Sequence, residues 1–163
     1  MPTYSYTYKK LHDIEWFFKC CGWPIHAVSN AGFIPSKIDR DKNTQVQYET
    51  EELADIIESR DLLYINSNYV KYRIDVLENN RETAFEDYIR GFVRMAMKGF
   101  CSFDRDITQG WDTKRYVLIA APLEPTSPEV ELTELLCHED IIFYEDQVVY
   151  NDYKFVNLYF DKP

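Results

Sequence analysis

Glycine is scarce in this sequence, and the common glycine-containing motifs of enzymes are missing from it. Only 5 of the 163 residues are glycine, and they form neither a dinucleotide-binding Gly-x-Gly-x-x-Gly pattern nor a phosphate-binding P-loop. A Gly-x-Ser-x-Gly nucleophile motif and an EF-hand loop are absent as well. The sequence therefore gives no motif support for nucleotide, phosphate or calcium binding, or for a serine hydrolase.

Long apolar runs are also missing. No stretch of about 18 apolar residues occurs, so we expect no transmembrane helix and no membrane partner. Residues 1–6 carry no basic patch and lead into no apolar stretch, which is unlike a secretion signal. The four cysteines lack zinc-finger spacing, and reduced thiols in the cytoplasm are the expected state. These cysteines are Cys20, Cys21, Cys101 and Cys137.

Basic residues are outnumbered by acidic ones. The chain has 18 lysines and arginines against 28 aspartates and glutamates, and its formal net charge is −10. A nucleic-acid-binding protein needs a basic surface that displaces counterions from phosphates, so we expect no direct nucleic-acid contact. The acidity is uneven, with a net charge of −5 over residues 49–61 and −8 over residues 120–163. Such a charge distribution favours a basic protein as the partner.

Apolar and aromatic residues, in contrast, are plentiful. Hydrophobic residues make up 45% of the chain and aromatic residues 16%, which is typical of a folded protein. A chain of this length buries about 70% of its unfolded surface and can support a core without metals or disulfides. We expect no metal and no cofactor. No repeat and no linker divides the sequence, so residues 1–163 are interpreted as one domain.

The clearest predicted elements are a helix over residues 81–98 and a strand over residues 116–121. The apolar residues of the helix form a broad stripe at helical spacing, and Gly99 follows its end. Phe92 lies within this stripe, so we expect its side chain to be buried. The run at 116–121 is nearly all apolar, which predicts a central strand.

Weaker patterns predict the elements before residue 81. Alternating tyrosines predict a strand over residues 4–8, and apolar spacing predicts a helix over residues 11–21. A short strand is expected at 46–48 and a helix is expected to begin at Thr50. Residues 62–65 and 69–77 predict a β-hairpin, because apolar and polar residues alternate in the second run.

Further strands are predicted towards the C-terminus. Residues 100–103 predict a strand, and a short helix through residue 136 follows a proline-rich loop. Residues 141–144, 148–150 and 154–160 predict a three-stranded meander, with one turn at Glu145 and Asp146. All these elements together predict an α+β fold. It is a largely antiparallel sheet with two or three helices packed on one face, in a single compact domain.

Histidines and cysteines give weak candidates for a catalytic or metal site. Residues 137–140 read Cys-His-Glu-Asp, but adjacent residues point in different directions and cannot chelate one ion alone. His12 lies near Glu15 without a second histidine one helical turn away. We therefore expect no catalytic, cofactor-binding or metal-binding residues.

Two groups near residue 101 allow both a structural and a functional interpretation. Cys101 would be a nucleophile if a histidine approached it, but a small buried thiol between aromatic residues is commoner. Asp104, Arg105 and Asp106 place two carboxylates beside a guanidinium group. Such a group anchors a loop or binds a substrate, and we favour the structural interpretation.

Acidic and aromatic residues near the C-terminus form the predicted partner surface. Tyrosine is enriched at protein interfaces, and carboxylates steer a basic partner. The predicted contact residues are Asp140, Tyr144, Glu145 and Asp146. We expect a small acidic cytoplasmic interaction module, most concretely an inhibitor or immunity-type protein that covers a basic site on a toxin or nuclease. The alternatives are a solvated acidic rim without a partner, and a small enzyme that uses Cys101 or a site centred on His138.

Overall fold

The computed structural model of the protein has seven strands and four α-helices in the residues that it describes. It describes residues 4–20, 23–32, 34–35, 38, 40–77, 83–124, 143–146 and 157–160. The helices are α1 (Tyr6–Leu11), α2 (Arg40–Glu51), α3 (Ser67–Leu77) and α4 (Ala84–Met97), with short 3₁₀ helices at Arg60–Leu62 and Ile107–Gln109. The strands are β1 (Glu15–Cys20), β2 (Trp23–Val28), β3 (Leu63–Ile65), β4 (Cys101–Arg105), β5 (Arg115–Pro122), β6 (Phe143–Asp146) and β7 (Asn157–Phe160).

These strands form one sheet in the order β1-β2-β4-β5-β7-β6, and β5 lies at its centre. β5 pairs with β4 along one edge. Along the other edge, the C-terminal end of β5 pairs with β3, and the N-terminal end of β5 pairs with β7. The pair β2–β4 is parallel, and the other pairings of the described strands are antiparallel. The predicted α+β fold with a largely antiparallel sheet is therefore confirmed.

One face of the sheet is covered by an apolar cluster. Its strand residues alternate along β1, β2, β4 and β5, as expected when one face of a sheet is buried. They are Trp16, Phe18, Ile25, Ala27, Cys101, Phe103, Tyr116, Leu118 and Ala121. Ile14, Ile34 and Ile38 complete the cluster, and Tyr4 and Tyr8 pack against it.

The opposite face is covered by α2, α3 and α4. Val46 of α2 and Met95 of α4 pack with Phe17 of β1, and α3 and α4 pack with Val117 and Ile119 of β5. The two predicted elements with the strongest patterns, the helix at 81–98 and the strand at 116–121, correspond to α4 and β5. Phe92 is buried, as predicted. Three helices on one face also agree with the predicted architecture.

The predictions for the first twenty residues are wrong. Residues 6–11 form α1, whose first turn is capped by the Ser5 hydroxyl, instead of a strand. Residues 15–20 form β1 instead of a helix. Trp16, Phe17 and Phe18 are all buried because both faces of β1 are covered, and this continuous aromatic run imitates helical spacing.

Residues 46–77 also differ from the predictions. Residues 46–48 belong to α2, which ends at Glu51, so no helix begins at Thr50. Residues 69–77 lie in α3 and form no hairpin with β3, although β3 itself matches the prediction. In α3, Val70 and Ile74 are buried one turn apart while Tyr72 is exposed, so half of the apparent alternation faces solvent.

The C-terminal strands agree in part with the predicted meander. β6 pairs antiparallel with β7, and Glu145 and Asp146 lie within β6, opposite Leu158 and Asn157. They are therefore not in a turn. The predicted helix through residue 136 and the predicted strand at 148–150 lie outside the described residues. No helix in the described part of the chain has the length and apolar character needed to cross a membrane.

Candidate functional site

A cavity of about 250 Å³ lies between the sheet and α4. β1 and β2 form its floor, α4 forms its roof, and its walls combine carboxylates with apolar surface. It is lined by Asp13, Glu15, His26, Val28, Gly91 and Phe92. Asp13 and Gly91 are exposed and Glu15 is half-buried, so the cavity opens to solvent along these three residues.

The Glu15 carboxylate is held on both of its oxygens. Its Oε1 lies 2.9 Å from His26 Nε2, and its Oε2 accepts a hydrogen bond of 2.6 Å from the side-chain amide of Gln47 on α2. The Asn43 amide of α2 also donates to the Glu15 main-chain carbonyl. Two strands and one helix thus fix the position of this side chain at the mouth of the cavity.

A serine completes this polar chain inside the protein. His26 Nδ1 lies 2.6 Å from Ser102 Oγ, and both residues are buried. The parallel register of β2 and β4 pairs His26 with Ser102, which explains why residues far apart in sequence meet. Glu15 accepts a hydrogen bond from Nε2–H, and Nδ1 shares the second hydrogen bond with the Ser102 hydroxyl.

The surroundings of Glu15 favour its ionised form. Burial by itself would raise the pKa of Glu15, but the hydrogen bond from His26, the charges of His26 and Arg94, and the hydrogen bond from Gln47 outweigh burial. The pKa of Glu15 is therefore lowered below its usual value. At neutral pH the mouth of the cavity carries a fixed negative charge.

Asp104 lies on the same face of the sheet and behaves in the opposite way. It is buried beside Val28, its partner in the β2–β4 register. Complete burial raises the pKa of Asp104 to about 7, although a 2.6 Å hydrogen bond from the Tyr88 hydroxyl and the charge of Arg73 act against this. The charge of Asp13 raises the pKa further, so the two carboxylates influence each other.

Ser102, His26 and Glu15 resemble the order of a catalytic triad, but their surroundings do not suit catalysis. A nucleophilic serine must reach the substrate, whereas Ser102 is completely buried and does not line the cavity. His26 connects this buried serine to Glu15 through its two ring nitrogens. The chain therefore serves to orient Glu15, and the cavity is suited to binding rather than to group transfer.

A second acidic surface lies at residues 48–62, named here the acidic strip. It spans the end of α2, an irregular segment and the 3₁₀ helix Arg60–Leu62. The backbone amides of Ile56 and Ile57 both donate to Met97 O of α4, and Lys98 Nζ donates to the carbonyls of Glu51 and Leu53. The strip is therefore fixed along the C-terminal end of α4.

The side chains of the acidic strip are mostly exposed and combine charge with apolar surface. Its exposed carboxylates are Glu51, Glu52, Asp55, Glu58 and Asp61. Tyr48, Ile56 and Leu62 are exposed by 63%, 40% and 50%. A hydrogen bond with Glu52 raises the pKa of Tyr48. Arg94 connects the strip to the cavity, since it lies 3.9 Å from Glu51 and its charge acts on Glu15.

Cys101 does not meet the requirements of a nucleophile in this fold. Its side chain is completely buried in the apolar cluster, on the face of the sheet opposite the polar chain of His26. The His12 ring stacks on Tyr8 at a centroid distance of 3.9 Å, and its Nδ1 lies 3.0 Å from the Tyr8 carbonyl oxygen, whereas the Glu15 carboxylate bonds to His26 and Gln47. The structural interpretation of both residues is the one that the geometry favours.

The contacts of Asp104, Arg105 and Asp106 are structural, which agrees with the interpretation favoured from the sequence. Each of the three side chains makes its contacts separately. The buried Arg105 guanidinium donates to the main-chain carbonyls of Ser29, Asn30, Trp111 and Thr113. Asp106 accepts from Tyr69 and lies 3.3 Å from Arg115. Asp104 binds Tyr88 instead. The three side chains therefore form three distinct contacts and no common site.

The structure describes only some of the predicted partner residues. Tyr144, Glu145 and Asp146 lie in β6, the last strand in the order of the described sheet. Asp140, Cys137 and His138 lie outside the described residues. The structure does not test the predicted contact at these positions, and it stays a prediction.

Comparisons with protein families, with curated proteins and with solved structures found no match to this chain. Within the described residues, no group of three or more histidine, cysteine, aspartate or glutamate side chains is arranged to hold a metal ion. The chemistry of the cavity and of the acidic strip is therefore the basis for a functional proposal.

Proposed function

We propose that this chain is an acidic protein-interaction module of the cytoplasm, which binds a basic protein in the manner of an inhibitor or immunity protein. The observation that carries the proposal is the acidic strip. It is a fixed surface on which carboxylates surround exposed Tyr48, Ile56 and Leu62. Interfaces of this type combine apolar contacts with charges that steer the partner.

Rigidity is the property that distinguishes this strip from an ordinary solvated surface. Its backbone bonds to Met97 and Lys98 hold the segment before binding, so little conformational entropy is lost when a partner docks. Among the described residues, no ion pair engages Asp55, Glu58 or Asp61. Their charges therefore remain available to a basic surface, such as the active site of a nuclease or a toxin.

The experiment is affinity capture from the organism that encodes the chain, with the wild type and matched variants. Asp55→Lys with Glu58→Lys reverses the strip, and Asp75→Lys with Asp112→Lys makes the same charge change at exposed positions outside it. We expect a basic protein to be captured by the wild type and by the control pair, and to be lost with the strip pair.

A third pair tests the contact predicted from the sequence. Glu145→Lys with Asp146→Lys changes the charge of β6 by the same amount. Loss of the partner with this pair alone would move the interface to β6. Equal capture by all three pairs, or no specific partner at all, would contradict an acidic interaction module.

A further inference from the structure

The size of the cavity limits what it can hold. Its volume of about 250 Å³ is below the range of about 300–1,000 Å³ that is typical of pockets for drug-sized ligands. It is also far larger than the space that a single water molecule needs. A ligand of the size of one side chain fits this volume, whereas a nucleotide does not.

The charges around the cavity favour a cation. Asp13 and Glu15 lie at the mouth, and no hydrogen bond or ion pair ties the Asp13 carboxylate to the described part of the chain. Two arginines on this side of the sheet are engaged elsewhere: Arg94 lies 3.9 Å from Glu51, and Arg73 lies 4.0 Å from the ring centroid of Tyr88 and acts on Asp104. Glu15 is held by His26 and Gln47, so Asp13 is the carboxylate at the mouth that remains open to a positive group.

Gly91 is the exposed residue through which α4 lines the cavity. It lies in the middle of α4, where glycine is less favourable than alanine because it loses more conformational freedom on folding. Packing does not require it, since among the described residues no atom outside its two chain neighbours and the adjacent helix backbone lies within 4 Å of the position that a Cβ would take. A larger side chain at this position would project into the space that the cavity occupies.

We propose that this cavity binds an aliphatic chain that ends in an ammonium or guanidinium group, and that the natural source is a lysine or arginine side chain of the basic partner. The assignment of the cation to a side chain of a partner rests on the proposed function. The cation lies between Asp13 and Glu15, and the methylenes contact Val28 and Phe92. Lysine and arginine bury their aliphatic stems in this way while the charged end meets a counter-ion.

The first experiment uses small probes and needs no partner. ¹⁵N-labelled protein is titrated with Nα-acetyl-lysine amide, Nα-acetyl-arginine amide and 1,4-diaminobutane, with the Nε-acetylated lysine amide as the uncharged control. We expect a dissociation constant on the order of millimolar for the charged lysine and arginine probes, with amide shifts centred on Gly91, Val28 and Glu15. Shifts of equal size with the uncharged control would overturn the proposal.

Three variants connect the binding to the cavity. Asp13→Asn is at an exposed position and should fold normally, and we expect it to weaken binding at least about fivefold. Gly91→Met fills the cavity and should abolish binding. Asp112→Asn removes the same charge at an exposed position outside the cavity and should leave the affinity unchanged. Binding that survives in both cavity variants would contradict the assignment.

The source of the cation is decided by two further comparisons. A tenfold preference for 1,4-diaminobutane over the lysine amide would contradict a protein side chain and assign the cavity to free amines. With the captured partner in hand, Gly91→Met should weaken its binding as the strip reversal does. If the strip reversal alone weakens it, the cavity inference fails and the interaction module stands. If the probes bind and no partner is captured, the cavity binds small cations and the proposed interaction module fails.

Discussion

The two faces of the central sheet differ in chemistry, although the same strands build both. On one face, Trp16, Phe18 and Phe103 pack into an apolar cluster. On the other, β1, β2 and β4 place Glu15, His26 and Ser102 in a chain of hydrogen bonds under the helices. Buried polar groups cost free energy unless they are paired, so packing alone does not call for such a chain. The comparison shows that apolar side chains pack both faces, and that the helix-covered face adds a buried polar chain, where we propose that the binding chemistry lies.

The largest expected effect compares one phenylalanine from each face. Phe103 is completely buried in the apolar cluster, and Phe103→Ala should lower the free energy of unfolding by about 4–5 kcal/mol. Phe92 borders the cavity, where part of its surface already lacks contacts, so Phe92→Ala should cost about 3 kcal/mol. Chemical denaturation measures both values. A larger loss of stability for Phe92→Ala than for Phe103→Ala would contradict the difference between the two faces of the sheet.

The second effect concerns the pH dependence of stability at Asp104. Because its pKa is raised to about 7, folded Asp104 holds a proton that the unfolded chain has released above its ordinary value near 4. Its contribution to stability is therefore fully present at low pH and is lost as the pH rises through 7. Relative to Asp104→Asn, the wild type should lose about 2–3 kcal/mol between about pH 5 and pH 8.

Comparison with Asp104→Asn also removes the effect of Glu15, which has the opposite sign. The lowered pKa of Glu15 gives stability above its ordinary value that is lost only as the pH falls through the folded-state pKa. Urea denaturation of both proteins across this pH range is the measurement. A difference that stays constant with pH would show that Asp104 is ionised throughout.

A smaller effect is expected at Gly91. Gly91→Ala should raise the free energy of unfolding by about 0.5–1 kcal/mol, because alanine favours the helix and meets no neighbouring atom. Gly110 is the control, since its φ of 109° is unfavourable for alanine. Gly110→Ala should therefore destabilise. If Gly91→Ala were equally destabilising, Gly91 would have a structural role that the cavity does not explain.

The smallest effect on stability is expected in the acidic strip. Asp55→Lys with Glu58→Lys should change the free energy of unfolding by less than about 0.5 kcal/mol, because both side chains are exposed and unpaired within the described residues. Thermal and chemical denaturation test this directly. A large loss of stability would mean that the strip stabilises the fold. Loss of capture by this pair would then report unfolding and would not test the interface.

Strong local patterns predicted part of this fold correctly. The apolar stripe of α4 and the continuous run of β5 allow one interpretation each, and both were found. In α3 the residues Val70, Tyr72 and Ile74 satisfy strand alternation, and Val70 and Ile74 also satisfy helical spacing. Only the burial of Val70 and Ile74 beside α4 and β5 decides between the two. Tertiary packing supplies that information, and a single sequence does not contain it.

The cavity could not be predicted because its parts are distant in sequence. Glu15 lies in the segment predicted to be a helix, and no strand is predicted over residues 23–28, so the sequence predicts no neighbours for His26. The parallel pairing of β2 with β4, which joins His26 to Ser102, is a non-local contact. One signal was present: His26 interrupts an apolar run in 23–28, and a polar residue in such a run requires a partner when buried.

The association rate of the captured partner, measured at low and at physiological salt, tests the central claim most directly. Steering by the acidic strip predicts that association slows markedly as the salt concentration rises, because the Debye length shortens to about 8 Å at physiological ionic strength. Asp55→Lys with Glu58→Lys should remove most of this salt dependence, and Asp75→Lys with Asp112→Lys should remove much less of it. Association that is equally fast at both salt concentrations, or unaffected by the strip reversal, would contradict an acidic module for a basic protein.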